Sequence, residues 1–119
     1  MKAPFLELLR ERVLLFDGGM GTQVHARNLT VEDYCGKEGC VDYLPITRPD
    51  VVEDIHAAYL DAGADVVETD TFQASAVRFA EWGLVDRTQE INRAAAAIAR
   101  RVADRYAAAD RRPRFVAGS

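Results

Sequence analysis

Two short apolar runs in the chain each end in acids, hydroxyls or glycines. The first run, residues 13–16, leads into Asp17-Gly18-Gly19-Met20-Gly21-Thr22, and the second, residues 64–67, leads into Glu68-Thr69-Asp70-Thr71-Phe72. Short apolar runs are typical of buried strands. Because ligands of helix-wrapped parallel sheets bind at the carboxyl ends of the strands, the two clusters predict one shared site.

Three acids in these clusters supply the negative charge of the predicted site. They are Asp17, Glu68 and Asp70. Carboxylates packed together raise one another's pKa, so a cation such as an ammonium group or a metal ion is expected beside them unless solvent reaches them. Thr69 and Thr71 can either hydrogen-bond a ligand or hold the loop in place, and the acids themselves can be structural.

The glycines after the first run predict a close approach of the backbone to a ligand. Gly18, Gly19 and Gly21 carry no side chain that would block a ligand, and their N–H groups suit a carboxylate or a phosphate. The pattern lacks both the dinucleotide-binding spacing and the lysine of the nucleotide-binding loop. A plain tight turn after a strand is therefore the alternative.

The periodicity of the chain alternates between strands and helices. Gly63 is the expected stop of a helix that begins at Arg48-Pro49-Asp50, and a long helix capped by Asp86 or Thr88 should bury Ile91, Ala95, Ile98, Val102 and Tyr106. Shorter helices are expected over residues 4–10, 22–28 and 76–82, and strands are expected over residues 13–16, 64–68 and 115–118.

Strand, helix, strand, helix, strand is the order of a parallel sheet with right-handed crossovers. Three such strands would leave both edges and much of one face of the sheet open. The sequence therefore predicts an α/β fold in which residues 1–119 are about three βα units, the N-terminal part of a TIM-type (β/α)8 barrel.

Composition excludes several classes of protein. The chain has 119 residues, a formal net charge of −4 and a hydrophobic fraction of 49%. It has no basic stripe for nucleic acid, and no run approaches the roughly 20 apolar residues that span a bilayer, so we expect a cytoplasmic protein with no nucleic-acid or membrane partner. The arginines between positions 100 and 114 are predicted to form a solvated face near a helix C-terminus.

Other residues that can do chemistry give weaker signals. Cys35, Cys40 and His25 are spaced too loosely for a zinc site and lack a fourth ligand, so no metal ligand is assigned to them. His56 is expected to be a surface or packing histidine of its helix. Three aromatic residues near the loops can line a pocket but are more typical of a core: Tyr43, Phe72 and Trp82.

The sequence resembles the homocysteine S-methyltransferase family, and within it most closely the homocysteine-binding module of the cobalamin-dependent members. The resemblance rests on residues 17–22, on Thr47-Arg48-Pro49-Asp50-Val51-Val52 and on residues 62–72, in the same order and spacing. It extends from about Leu14 to Ser119. The chain departs from the family at Asp70 and Val41, where the family frequently has asparagine.

The resemblance implies an eight-stranded barrel in which three cysteine thiolates on later strands hold zinc, and the zinc binds the homocysteine sulfur. None of those cysteines is present, so neither a catalytic residue nor a metal ligand is assigned to this chain. What the resemblance transfers is the site for the amino-acid end of the substrate, at Asp17, Gly18, Gly19, Glu68, Thr69 and Asp70.

The implied reaction is methyl transfer to the zinc-bound thiolate of homocysteine, which gives methionine. The methyl donor would be methylcobalamin, and cobalamin and folate modules would belong to the same longer polypeptide. The fragment alone would be inactive. Two alternatives stay open: a cobalamin-independent enzyme that takes its methyl group from a sulfonium or betaine donor, and a non-catalytic remnant or interaction module whose sheet edges pair with another chain.

Overall fold

The computed structural model describes residues 4–119, in which helices precede and connect the strands of a small parallel sheet. In chain order the helices and strands are α1 Phe5–Glu11, α2 Gly21–His25, α3 Leu44–Thr47, α4 Pro49–Asp61, β1 Val66–Glu68, α5 Ala76–Phe79, α6 Thr88–Asp110 and β2 Phe115–Ala117. Single 3₁₀ turns lie at Glu32–Tyr34, Val41–Tyr43, Ala80–Trp82 and Val85–Arg87. The fold is α/β and helix-rich.

Helix α4 begins and ends where the sequence predicts. Pro49 occupies the first turn, where its missing N–H costs nothing, and Gly63 takes φ +108° just beyond the helix end. The helix buries Val52 and Ile55 completely. It also buries His56, whose two ring nitrogens have no hydrogen-bond partner among residues 4–119. The interpretation of His56 as a packing histidine is confirmed, and burial lowers its pKa to about 4.

Helix α6 is the long helix that the sequence predicts, and it packs against α4. Its predicted inner stripe is confirmed at Ile91, Ala95, Ile98 and Val102, all of which are buried. Tyr106 is only half-buried and donates a 2.7 Å hydrogen bond to Asp61 of α4. The small alanines of this stripe let α6 lie close to the core that α4 and β1 share.

The sheet is parallel, as predicted, but its strands are short. Val66 pairs with Phe115 and Glu68 pairs with Ala117, while Phe16 forms a single parallel bridge to Val66 on the other side of β1. The order across the sheet is therefore the same as the order along the chain: residues 13–16, then β1, then β2. This arrangement brings the residues after Phe16 and after Val67 to the same end of the sheet.

The prediction of a buried strand over residues 13–16 is wrong. Val13, Leu15 and Phe16 are 79%, 56% and 49% exposed, and only Leu14 is buried. The backbone N–H of Leu15 donates to Oδ2 of Asp65 at 2.9 Å rather than to a strand carbonyl, so a side chain interrupts the ladder. No described segment covers the outer side of these residues, which explains their exposure.

Residues 13–16 form the edge segment of the sheet, and Asp65 joins this edge segment to the loop after α6. Its carboxylate is 1% exposed and receives hydrogen bonds from Arg12 at 3.1 and 3.2 Å and from Arg112 at 2.7 Å. Burial alone would raise the pKa of Asp65, but these bonds and the one from Leu15 lower that pKa to about 2. The carboxylate is therefore a charged structural link.

The solvated arginine face predicted near the end of α6 is only partly correct. Arg101 and Arg105 are exposed, and both pair with Glu53 of α4. Arg114, in contrast, is buried and pairs with Asp110 at 2.7 Å.

Each helix within residues 4–119 is either too short or too polar to span a bilayer.

Candidate functional site

A cavity of about 430 Å³ opens at the end of the sheet where the two predicted clusters meet. This volume lies within the range of small-molecule sites. The residue after the edge segment, the end of β1, the loop before α3 and the region of α5 all contribute to its wall. The lining residues include Asp17, Gly18, Gly19, Gly21, Cys40, Asp42, Glu68, Thr69, Asp70, Phe72, Gln73, Arg78, Phe79 and Trp82.

Asp17 reaches the cavity with one carboxylate oxygen unused. Its Oδ2 accepts a 3.0 Å hydrogen bond from the backbone N–H of Glu68, which joins the two strand ends. Its Oδ1 is buried and has no hydrogen-bond partner within the described chain. Burial raises the pKa of Asp17, the Glu68 N–H partly offsets that rise, and the Glu68 carboxylate adds to it. A cationic donor from a ligand would satisfy this oxygen and stabilise the charged form.

Tyr59 of α4 packs closely against the glycine loop beside the cavity. A Cβ at Gly18 would lie 3.0 Å from Oη of Tyr59. The same hydroxyl donates a 2.7 Å hydrogen bond to the carbonyl of Gly19. Gly18, Gly19 and Gly21 all have negative φ values. The need for glycine at position 18 therefore comes from close packing and not from a left-handed backbone.

Thr69 and Thr71 hold the second strand end in place. Their hydroxyls lie 2.7 Å apart, Thr69 Oγ1 accepts from the backbone N–H of Ser119, and Thr71 Oγ1 donates to the Ser119 carbonyl. Both threonines are buried. The sequence left open whether these threonines bind a ligand or hold the loop in place, and the structure shows the contacts that hold the loop.

Asp70 packs against a second acid, Asp42, in the wall of the cavity. The two side chains are 3% and 8% exposed, and they lie close enough for a protonated Asp70 to donate to Asp42. Burial raises the pKa of Asp70 well above its ordinary value, and the Asp42 carboxylate raises it further. Asp42 Oδ2 accepts from the backbone N–H of Gln73 at 2.9 Å, while Asp70 Oδ2 has no partner in the described residues. A proton held on Asp70 would therefore join two loops of the wall.

The structure brings all six predicted site residues to this one cavity. Asp17, Gly18 and Gly19 line one side, and Glu68, Thr69 and Asp70 line the other. Glu68 is exposed, whereas Thr69 and Asp70 are buried.

Sequence reasoning missed Asp42, Gln73 and Arg78 as wall residues. Asp42 lies in a loop 28 positions before Asp70, with no periodic pattern to indicate that the two would meet.

The aromatic residues divide between wall and core. Phe72 is 81% exposed and lines the cavity with Trp82. Tyr43 is buried with Phe79 and Ile91 in a hydrophobic cluster. The interpretation as core is thus correct for Tyr43 and wrong for Phe72.

The side chains that the structure describes do not form a site for a metal ion. Within residues 4–119 there is no group of three or more histidine, cysteine or acidic side chains that could hold one. Cys35 is exposed, while Cys40 is buried in the cavity wall. Burial raises the pKa of Cys40 to about 11, so this thiol stays protonated at neutral pH.

Comparison with sequence families gives one match over most of the chain. A family model described as homocysteine S-methyltransferase matches residues 14–119. Methionine synthase of Mycobacterium tuberculosis is 46% identical over 114 residues, and that of Mycobacterium leprae is 44% identical over the same length. These alignments cover 96% of this chain, which spans only about a tenth of either relative.

Solved structures give a matching fold. The oxidized form of the homocysteine methyltransferase MmuM from Escherichia coli superposes with a TM-score of 0.79 at 26% identity, over 98% of this chain and 40% of that one. The metallated form gives 0.76 at 26% identity over 94% and 39%. The fold of this chain therefore resembles part of that enzyme.

Proposed function

Since the chain belongs to the homocysteine S-methyltransferase family, we propose that its cavity binds the amino-acid end of homocysteine in an enzyme that methylates the homocysteine sulfur to give methionine. The proposal places the substrate between the two strand ends. Asp17, Gly18 and Gly19 would contact it from one side, and Glu68, Thr69 and Asp70 would contact it from the other.

The unpartnered oxygen of Asp17 is the observation that carries this proposal. Oδ1 of Asp17 is buried at the cavity without a donor from the described chain, beside the carboxylate of Glu68. A buried acceptor without a donor is costly, and charge-assisted hydrogen bonds are the strong ones. The ammonium group of an amino acid supplies both the donor and the positive charge that this position lacks.

The chain's own contribution to the reaction would be positioning. A methyl group is transferred efficiently only when the attacking sulfur is held in line with it, and fixing the amino-acid end removes most of the ligand's freedom. Cys40 keeps its proton at neutral pH and His56 is fully buried, so neither of these residues would activate the thiol. In the proposal, zinc supplies that activation and its thiolate ligands lie outside this chain, so the 119 residues alone would be inactive.

We further propose that residues 1–119 form the N-terminal part of a homocysteine-binding domain with a TIM-type (β/α)8 barrel. The parallel order of the edge segment, β1 and β2 supports this architecture, as does the superposition on MmuM. The exposed apolar side chains of Val13, Leu15 and Phe16 also support it, because further barrel elements would cover them.

For the methyl donor, the proposal is methylcobalamin, with cobalamin and folate modules on the same polypeptide. The resemblance to the cobalamin-dependent members and the 46% identity to a methionine synthase support this donor over a sulfonium or betaine compound.

The test is an assay of the full-length polypeptide that contains this chain. Purified and zinc-loaded, it should transfer the methyl group of methylcobalamin to homocysteine and release methionine. If methionine formed only from a sulfonium or betaine donor, the enzyme would be cobalamin-independent. No methionine from any of the donors would leave the non-catalytic alternative.

A further inference from the structure

The wall of the cavity carries four acids and a single cation. Among the described residues that line it, the acids are Asp17, Asp42, Glu68 and Asp70, and the cation is Arg78. An amino acid brings a carboxylate as well as an ammonium group. The acids repel that carboxylate over most of the wall, which leaves Arg78 as the position where a full positive charge can receive it.

Arg78 has hydrogen-bond donors to spare. Its Nη2 donates to Gln73 Oε1 at 3.1 Å, and its Nη1 donates to Glu81 Oε1 at 3.3 Å. A guanidinium carries five N–H donors in a planar fork that matches a carboxylate. The side chains of Arg78 and Glu81 are 44% and 59% exposed, so their ion pair contributes little and can be exchanged for a ligand.

The charge of Arg78 reaches the acidic wall. Burial raises the pKa of Asp42, and the positive charge of Arg78 offsets part of that rise. Gln73 links the same two residues, because its backbone N–H donates to Asp42 while its side chain accepts from Arg78. Arg78 is therefore held at the cavity by the segment that also fixes the Asp42–Asp70 pair.

We infer that Arg78 binds the carboxylate of the substrate whose ammonium group Asp17 receives, and that it thereby selects an α-amino acid over the corresponding amine. This inference rests on the proposed function and adds a residue to it. The ammonium and carboxylate groups would then lie against opposite charges on two walls of one cavity. That arrangement fixes the direction in which the thiol side chain extends.

Two ligands separate the role of Arg78 from that of the rest of the site. Homocysteine and 3-aminopropane-1-thiol share the thiol and the ammonium group, and only homocysteine has the carboxylate. Their affinities for the zinc-loaded full-length protein can be measured by calorimetry. Arg78→Gln should weaken homocysteine binding by about 10- to 100-fold and leave the aminothiol bound as well as before or better.

Matched variants control for charge and for folding. Arg101→Gln removes another exposed arginine that pairs with an acid, Glu53, away from the cavity, and it should leave both affinities unchanged. Glu81→Gln keeps Arg78 but removes its competing partner, so homocysteine should bind equally well or slightly more tightly. Thermal unfolding of each variant should match the parent protein, because Arg78 and Glu81 are exposed.

The outcomes separate the inference from the proposed function. Homocysteine binding by the parent protein, with its preference over the aminothiol intact in Arg78→Gln, would overturn the inference and leave the function standing. The N–H groups of Gly18 and Gly19 would then be the candidates for the carboxylate. Failure of the parent protein to bind homocysteine at all would overturn both.

Discussion

Asp17 connects the two strand ends and also presents a free oxygen to the cavity, so its two roles must be separated. Asp17→Asn keeps an oxygen that can accept from the Glu68 N–H but removes the negative charge. We predict that homocysteine binding to the full-length protein weakens by about 10- to 100-fold, the range expected for one charge-assisted hydrogen bond. Calorimetry measures the affinity, and the zinc content should stay unchanged.

Asp86→Asn is the matched control for Asp17, because Asp86 is an exposed acid that does not line the cavity. It should bind homocysteine as the parent protein does. Unchanged affinity in Asp17→Asn would remove Asp17 from the site.

The Asp42–Asp70 pair predicts a local dependence on pH. The pKa of Asp70 is raised in the folded state, so the stability that the shared proton contributes is fully present below the ordinary pKa of 3.8 and is lost as the pH rises through the raised value. Loss of that proton leaves two buried carboxylates facing each other, and the Gln73 N–H that donates to Asp42 should open more often.

Asp70→Asn should abolish this pH dependence, because an amide donates to Asp42 without a proton that can be lost. Hydrogen exchange measured by mass spectrometry on a peptide that contains Gln73, corrected for the chemical effect of pH, tests this in the full-length protein. Protection should fall with rising pH in the parent and stay constant in the variant, while a peptide from α6 shows neither change. Equal pH dependence in both proteins would exclude the shared proton.

At the scale of the elements, the packing of α4 against the glycine loop shapes one side of the cavity. Gly18→Ala would place a Cβ 3.0 Å from Tyr59 Oη, so either the Tyr59 ring or the glycine loop must shift by a small distance. Gly118→Ala is the matched control, since Gly118 does not line the cavity and no described atom beyond its chain neighbours lies within 4 Å of its Cβ position. We predict that Gly18→Ala weakens homocysteine binding about tenfold and that Gly118→Ala does not, as measured by calorimetry. Equal effects of both substitutions would mean that the contact with Tyr59 does not position the loop.

Asp65 should stabilise the junction between the edge segment and the loop after α6. Asp65→Asn removes the charge that Arg12 and Arg112 bind, and it should cost about 1–3 kcal/mol at pH 7 in urea denaturation of the full-length protein. The pKa of Asp65 is lowered to about 2, so its contribution is present above the ordinary value of 3.8 and is lost as the pH falls through 2. The difference between parent and variant should therefore narrow below pH 3.8.

Asp104→Asn controls for the loss of an ordinary surface ion pair. Asp104 pairs with Arg100 on the exposed side of α6, so this substitution should lower the free energy of unfolding by less than about 0.5 kcal/mol. A similar cost for Asp65 and Asp104 would show that burial of the Asp65 carboxylate adds nothing.

Local signals made the helices predictable, while the edge segment and part of the site depend on contacts that the sequence does not display. Pro49 and Gly63 bound α4, and the spacing of Ile91, Ile98 and Val102 marks α6, because each signal acts within a few residues. The apolar run at residues 13–16 indicates a strand but does not reveal what covers it.

The site was predictable only where its residues follow the strands. Asp17 and Glu68 directly follow apolar runs, and the structure joins them by a hydrogen bond. Asp42 and Arg78 enter the cavity from a loop and a short helix, whose positions follow from packing and not from periodicity. For that reason the proximity of Asp42 and Asp70 could not be predicted from the sequence.

For the molecule as a whole, the proposal separates positioning from metal binding. If the zinc ligands lie outside this chain, the double variant Cys35→Ala, Cys40→Ala should keep the zinc content of the full-length protein. Cys35 is exposed and Cys40 is buried, and within the part of the chain that the structure describes neither belongs to a group of three or more side chains that could hold a metal ion. Elemental analysis of parent and variant measures this. Loss of zinc in the variant, with folding retained, would assign the metal to these cysteines after all.

The most direct test of the central claim is a crystal structure of the zinc-loaded full-length protein with homocysteine bound. We predict that the amino-acid end of the ligand lies in the cavity between the two strand ends, with its nitrogen within hydrogen-bonding distance of Asp17 Oδ1. Homocysteine bound with its nitrogen on other residues, and this cavity filled only by solvent, would show that the cavity is not the substrate site.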